Sequence, residues 1–415
     1  MSLHSPSSAP GASRERWLLL TLAGIQFTHI VDFMVMMPLG PQLTRLFGIS
    51  DAQFGLLVSA YTFAAGASGL LASTYLDKFD RKRLLLTLYT LFALATLACG
   101  LAPTYGLLLV ARVAAGLFGG VLTALSQTIV ADAVPFERRG RAMGVVMSSF
   151  SASTVAGVPL SLWLASHWGW QWPFIAIAGL SLLFALGAVY SLPPLRAHLH
   201  AARPSTWQGI AQVLADRNHW RAMLFTGLMM FAGFTVIPYI TLFLQANVGL
   251  TDAEIPWLYL SGGAATLLTA RWVGRLADRH GKVRVFSWLA LALGVPLLSL
   301  TLLGPVPLWA ALAVTTLMFV VMSGRMIPGM AIVTSAAQPA LRGTFMAFNA
   351  AVQSAAMGTA TFLGGLIIQR DAAGLVRHYW VAALIGVAAS VLSIWVAHRL
   401  TLHGEARGPV PLPPA

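Results

Sequence analysis

Long apolar runs, broken by short clusters of charge and by Gly/Pro turns, make up most of the chain. A helix needs about 20 mostly apolar residues to cross the hydrocarbon core of a bilayer. Runs of that kind recur over 17–40, 53–76, 84–103, 105–131, 142–166, 172–192, 220–245, 256–276, 283–304, 307–335, 343–369 and 376–399. The pattern therefore predicts an all-α membrane protein with twelve transmembrane helices. The one long polar break, Pro193 to His219, divides them into two sets of six. The predicted organisation is a tail over 1–16, a six-helix bundle over 17–192, a linker over 193–219, a second bundle over 220–399 and a tail over 400–415. Within the linker Trp207, Ile210, Val213 and Leu214 recur at helical spacing after Ser205, which predicts a short helix on the membrane surface.

The two sets repeat each other. Asp77-Lys78 with Arg81-Lys82 follows the second run, and Asp278-Arg279 with Lys282 follows the eighth, at an offset of 201. Arg139-Gly140-Arg141-Ala142-Met143 matches Arg342-Gly343-Thr344-Phe345-Met346 at an offset of 203. Two landmarks at nearly one offset predict a duplicated six-span unit with both copies in one orientation. That is the parallel-repeat plan of secondary transporters, in which the substrate site is expected near midplane between the halves.

Composition agrees and narrows the class. The chain is 57% hydrophobic and 9% charged, against about 25% charged for an average soluble domain. A formal charge of +13 raises the question of nucleic acid. The charges fall in clusters between apolar runs rather than on one basic face, so no nucleic acid is expected. Twenty Lys and Arg lie in the segments on the N-terminal side of the membrane and three (Arg45, Arg370, Arg377) in the opposite loops, which predicts that both termini are cytoplasmic. The single cysteine, Cys99, excludes an internal disulfide.

Gly274-Arg275-Leu276-Ala277-Asp278-Arg279-His280-Gly281-Lys282 resembles the signature loop of the major facilitator superfamily, and Asp77, Lys78, Arg81 and Lys82 match it in the first half, with Ser73 and Asp80 where the family prefers Gly. Within that family the chain is similar to bacterial drug/proton antiporters and their sugar-efflux relatives. Arg112-Val113-Ala114-Ala115-Gly116 resembles the motif whose Arg is assigned to proton coupling. Ala156-Gly157-Val158-Pro159 resembles the antiporter Gly-Pro signature, with Leu160 and Ser161 replacing the small residues expected next. The resemblance implies a monomeric carrier in a bacterial inner membrane, taking a small-molecule substrate and protons. It implies no cofactor beyond the proton gradient. Asp77 and Asp278 begin charge clusters at the cytoplasmic ends of the second and eighth runs, where they either bond neighbouring helix ends and basic side chains as gates or are simple topogenic charge; Lys78, Arg81, Arg279, Gly281, Gly157 and Pro159 are expected to share in the gating.

Asp32 stands inside the first apolar run, where a carboxylate costs about 2.5–3.5 kcal/mol on insertion scales and marks a working site by default. It precedes the outer end of its run by about 12 Å, and Arg112 follows the outer start of the fourth run by about 10 Å, at 1.5 Å per residue. Equal depth predicts that the two are paired or share a water. A neighbouring cation lowers a carboxylate's pKa and desolvation raises it, so gain or loss of Arg112 would switch Asp32 between releasing and holding a proton. The other reading is a fixed ion pair that orients two helices. His29, three residues earlier on the same face, either extends a proton relay, binds substrate or is simply packed. No second ligand cluster accompanies His29 and Asp32, so no metal is expected.

Arg271 and Arg325 lie toward the cytoplasmic side with no acidic residue at their depth. They act either as gate latches or as attractors of an anionic substrate group. Gln127, Tyr239, Gln245, Asn349 and Gln353 are substrate contacts or helix-to-helix hydrogen bonds. Met34, Met36, Met37, Phe231 and Phe234 form an adaptable apolar wall or ordinary packing. The expected function is export of a drug-like or sugar-like compound by proton antiport with alternating access. Alternatives are a facilitator or symporter of the same fold, with an organic anion among its possible substrates, and a membrane sensor without transport. No clustered nucleophile, base or phosphate loop points to an enzyme.

Overall fold

Glycine and proline stand at most of the points where the apolar runs break. The computed structural model describes residues 12–193, 195, 206–338 and 341–403. The expected tails over 1–16 and 400–415 and the linker over 193–219 lie partly outside the described residues.

One unit draws its described residues from Met1–Ile49, Ala60–Ala202 and Asp252–Leu260. It holds α1 (Ala12–Val35), α2 (Gly40–Phe47), most of α3 (Asp51–Tyr75), α4 (Arg81–Gly100), α5 (Tyr105–Gly119), α6 (Leu122–Ala133), α7 (Phe136–Ala152), α8 (Val158–Trp168) and α9 (Gln171–Ser191). The first run, read in the sequence as continuous, turns over 36–39 around Pro38, which lacks the N–H a helix interior needs. Pro41 then falls in the first turn of α2, where the missing N–H costs nothing. Between α7 and α8 a π-helical turn, Ser153–Gly157, bonds the Val158 N–H five residues back to Ser153 and so lets the backbone re-pair just before Pro159.

α1 is the hub of this unit. It packs on α7 and α9, while α4 packs on α5 and α9. Between helices already in lipid, close packing and polar contacts replace the hydrophobic effect as the source of association. Thr28 Oγ1 lies 2.7 Å from Tyr89 Oη on α4, Ser149 Oγ donates to Ala23 O at 2.7 Å from α7, and Ser191 Oγ donates to Thr21 Oγ1 at 3.1 Å from α9. Leu22, Ile25, Leu85, Phe92 and Leu125 fill the space between them, all fully buried.

The other unit draws on Ser50–Ser59, Arg203–Thr251 and Ser261–Ala415. It holds the start of α3, α10 (Thr206–Ala215), α11 (Arg217–Phe234), α12 (Ile240–Phe243), most of α13 (Ile255–His280), α14 (Lys282–Ala292), α15 (Gly294–Thr301), α16 (Leu308–Ala336), α17 (Arg342–Ile367), a hairpin of β1 (Gln369–Arg370) and β2 (Val376–Arg377), and α18 (Tyr379–Ala397). The antiparallel hairpin sets Gln369 opposite Arg377 and Arg370 opposite Val376. The linker contains the expected helix, α10, whose Val213 joins the core with Phe225, Phe286, Ile332 and Phe345. α11 packs on α17 and α18, and α14 on α16 and α18. These are the partners that α1 and α4 have in the first unit, taken in chain order. The repeat read from two loops is thus also a repeat of packing.

Eleven of the described runs are long and apolar enough to cross a membrane. The remaining expected span, the eighth, 256–276, is α13, a 26-residue helix that is long enough to cross but less apolar than the eleven. With it the chain forms two six-helix bundles.

Candidate functional site

Asp32 and Arg112 meet at the centre of the first unit. Arg112 Nη1 donates to Asp32 Oδ2 at 2.9 Å and lies 3.4 Å from the Asp32 carbonyl oxygen. Thr96 Oγ1, on α4, donates to the other carboxylate oxygen, Oδ1, at 3.1 Å. Both charged side chains are 0% exposed. The guanidinium also stands 4.3 Å over the Tyr61 ring of α3, a cation–π contact that gains strength where water is excluded.

Two local features build this geometry. On α5, one turn beyond Arg112, Gly116 lets α3 approach so closely that a Cβ there would lie 2.4 Å from Tyr61 O. Only glycine accepts that approach, and it is what puts Tyr61 beneath Arg112. On the other side, a Cβ at Gly157 would meet Val31 at 2.3 Å, so the π-helical turn can press against α1 next to Asp32. Gly157 is thus the point at which this turn packs against α1.

His29 is part-buried, its ring 5.7 Å from Phe92 and 6.4 Å from Tyr61. Neither of its ring nitrogens has a hydrogen-bond partner among the described residues, and the same holds for Tyr61 Oη and for Arg112 Nε and Nη2. The pair is thus satisfied at the carboxylate and incompletely satisfied around it. Such an arrangement can exchange one counter-charge for another at Asp32 while neutral polar atoms stand ready nearby.

At the end of this unit where basic residues cluster, Arg81 is ion-paired with Asp132 on α6. Lys82 Nζ donates to Val189 O and Leu192 O, both at 2.6 Å, at the C-terminus of α9 where a cation is favoured. Lys78 is exposed, and the Asp77 side chain lies outside the described residues. In the second unit Asp278 and Arg279 are exposed at the end of α13, and Gly281 turns the chain into α14 with φ +90°, a conformation that favours glycine.

The remaining candidates are spread out. Arg325 is fully buried in the second unit, with Nη2 donating to Met229 O at 2.7 Å, whereas Arg271 is exposed on α13. Tyr239 is fully buried and spends its hydroxyl on Thr361 O, a helix-to-helix bond. Gln353 Nε2 lies 3.5 Å from Met230 Sδ, Asn349 is buried, and Gln127, Gln245 and Phe234 are part-buried. Met36 is fully buried in the turn after α1. Among the described residues no group of three or more His, Cys, Asp or Glu could hold a metal. Thr96, Tyr61 and Asp132 are the partners that sequence reasoning missed. Asp132 had a signal, an acid four residues after the Gln127-Thr128 pair at the end of a run; Thr96 and Tyr61, being neutral, had none.

A search with family models matches the Major Facilitator Superfamily twice, over residues 22–243 and 222–414. The chain is similar to the MFS-type transporter YtbD of Bacillus subtilis (strain 168), at 24% identity over 381 residues, covering 91% of this chain and 94% of that protein. It is also similar to a chloramphenicol resistance protein of Streptomyces lividans, at 26% identity over 332 residues, covering 78% and 83%. The solved structure of a D-xylose-proton symporter superposes with a TM-score of 0.77 at 16% identity, covering 96% of this chain and 100% of that one. Twelve helices in two repeated bundles, a signature loop in each half and a family match along nearly the whole length place this chain in the Major Facilitator Superfamily, as a multi-pass membrane transporter and not an enzyme.

Proposed function

We propose that this transporter exports a small organic compound, drug-like or sugar-like, in exchange for protons by alternating access. Asp32 is the proton site and Arg112 the group that competes with the proton for it. The observation that carries this reading is the Asp32/Arg112 pair itself, fully buried within membrane spans and completed by Thr96. A buried pair is weak support for stability, because desolvation of two charges offsets their attraction. Its retention in a lipid-embedded bundle is better explained by use. The carboxylate alternates between two counter-charges, the guanidinium and a proton, and each state belongs to a different conformation of the carrier. His29 and Tyr61, with unspent polar atoms beside the pair, serve the proton's path. Asp77, Lys78, Arg81, Asp278, Arg279 and Gly281 gate the cytoplasmic side, Gly157 and Pro159 set the tilt of α1, and both termini are cytoplasmic in an inner membrane where the protein works as a monomer. The chloramphenicol resistance of one relative supports efflux as the direction.

The test is expression in an efflux-deficient bacterium, with accumulation of chloramphenicol, ethidium, xylose and benzoate followed with and without a protonophore. The proposal expects at least one compound to be excluded, with exclusion lost on adding the protonophore and in Asp32→Asn. Exclusion that survives the protonophore, or no exclusion of any compound, contradicts it.

A further inference from the structure

Among the described residues of the second unit, Arg325 is a buried cation with no acid in contact. Arg325 on α16 is 0% exposed, eleven residues from the end of its helix and so about 16 Å inside it. Only Nη2 is used, on Met229 O; Nε and Nη1 have no hydrogen-bond partner among the described residues. Arginine does not deprotonate in proteins, so the charge is present. The acids among the unit's described residues lie elsewhere. Asp51 pairs with Arg370, Asp371 with Arg377, Asp216 caps α11, and Asp278 is exposed in the last turns of α13. Neither α11 nor α14 to α18 contains an Asp or Glu. A desolvated charge without a counter-charge is among the most costly features a protein can keep, and a bound anion would supply one.

The surroundings suit an anion on an apolar body. Gly233 makes room beside the guanidinium for the flexible Met322 side chain: a Cβ there would stand 3.4 Å from Nη2 and 1.6 Å from Met322 Cε, so a shift of Met322 is what would admit an anion. Met229 and Met230, on the same turn of α11, and Met322 supply a polarisable wall that repacks readily. Gln353 reaches Met230, and Asn349, one helical turn earlier on α17, is 1% exposed with Oδ1 unpartnered. A single guanidinium balances one negative charge, which favours a monoanion over a phosphate ester.

We infer that Arg325 is the anchor for the carboxylate of an organic monoanion, which is the transported substrate, with Asn349 and Gln353 as its neutral hydrogen-bonding neighbours. The inference deepens the exporter reading and rests on it. A membrane potential negative inside drives such an anion outward, in the direction of export.

The experiment is thermal unfolding of the purified full-length transporter in detergent with acetate, benzoate, salicylate and 1-naphthoate, each against its neutral primary amide. Wild type, Arg325→Met, Arg325→Lys and Asp32→Asn are compared. In wild type at least one acid with an aromatic body raises the unfolding temperature and its amide does not. That shift is absent in R325M, reduced in R325K and retained in D32N. Without ligand R325M unfolds no lower than wild type, since an unpaired buried charge has been removed; should R325M fail to fold, R325K carries the comparison. The inference is overturned if no acid exceeds its amide in wild type, or if the shift survives in R325M or is undiminished in R325K. Because binding in detergent needs no gradient, loss of the acid shift with proton-dependent efflux intact removes only the anion site. An acid shift without proton-dependent efflux removes the exporter reading instead.

Discussion

Asp32 accepts from Arg112 and Thr96 through different oxygens, so its carboxylate is held on both sides while the guanidinium is not. Removing one member of such a pair strands the other. Arg112→Ala is therefore expected to destabilise the first bundle by about 3–5 kcal/mol. The double variant Asp32→Val/Arg112→Met, which removes both charges, is expected to regain most of that loss, as read by thermal unfolding. A double variant as unstable as the single one would show that the pair is not a compensated unit. At this scale the charges were legible and the neutral groups were not. A carboxylate or guanidinium in an apolar run announces its cost, and depth arithmetic was enough to match Asp32 with Arg112. Thr96 and Tyr61 cost little in lipid and look like their neighbours until the fold brings them to the pair. Arg325 was visible for the same reason as Asp32, but whether an acid answered it depended on packing.

Helices had to be bent and brought close before those residues could meet. The approach of α3 to α5 rests on Gly116, where any side chain would collide with backbone at Tyr61 and with Ala64 Cβ at 3.0 Å. Gly116→Ala is expected to cost about 1–3 kcal/mol by overpacking and to move Tyr61 off Arg112. The measurement is thermal unfolding together with the fluorescence or near-UV signal of the packed aromatics. Gly106→Ala on the same helix, where a Cβ meets nothing within 4 Å, is the matched control and is expected to be nearly neutral. Hydropathy showed where helices exist but not where they change register. The turn at Pro38 and the π-helical turn before Pro159 fall inside runs that stay apolar throughout, so a composition window passes over them. α13 is the converse: its position was legible as a run, yet it falls short of the apolarity that the other eleven reach.

The plan of the whole molecule was the most legible level, because a bilayer constrains span length and loop charge directly. The offset of about 200 residues between loop landmarks reappears as matched helix contacts in the two bundles. The two copies differ in content, and the charges showed it in the sequence: Asp32 and Arg112 fall at one depth in the first half, and no acid falls at the depth of Arg325 in the second. Among the described residues the first bundle buries an ion pair and the second buries the Arg325 guanidinium with no acid in contact, a difference of single residues on a common frame. The proposed orientation rests on twenty basic residues on one side against three on the other. With Cys99, the only cysteine, changed to Ala, a cysteine at Arg45 is expected to react with an impermeant maleimide in intact spheroplasts. One at Arg284 is expected to react only after permeabilisation. The reverse pattern would invert the topology and with it the assignment of gate residues. Proton coupling is the central claim, and it is tested most directly in proteoliposomes with the compound that expressing cells exclude. Asp32→Asn is expected to lose accumulation driven by an imposed pH gradient while keeping gradient-free exchange of labelled for unlabelled compound. Undiminished pH-driven accumulation by D32N would contradict it.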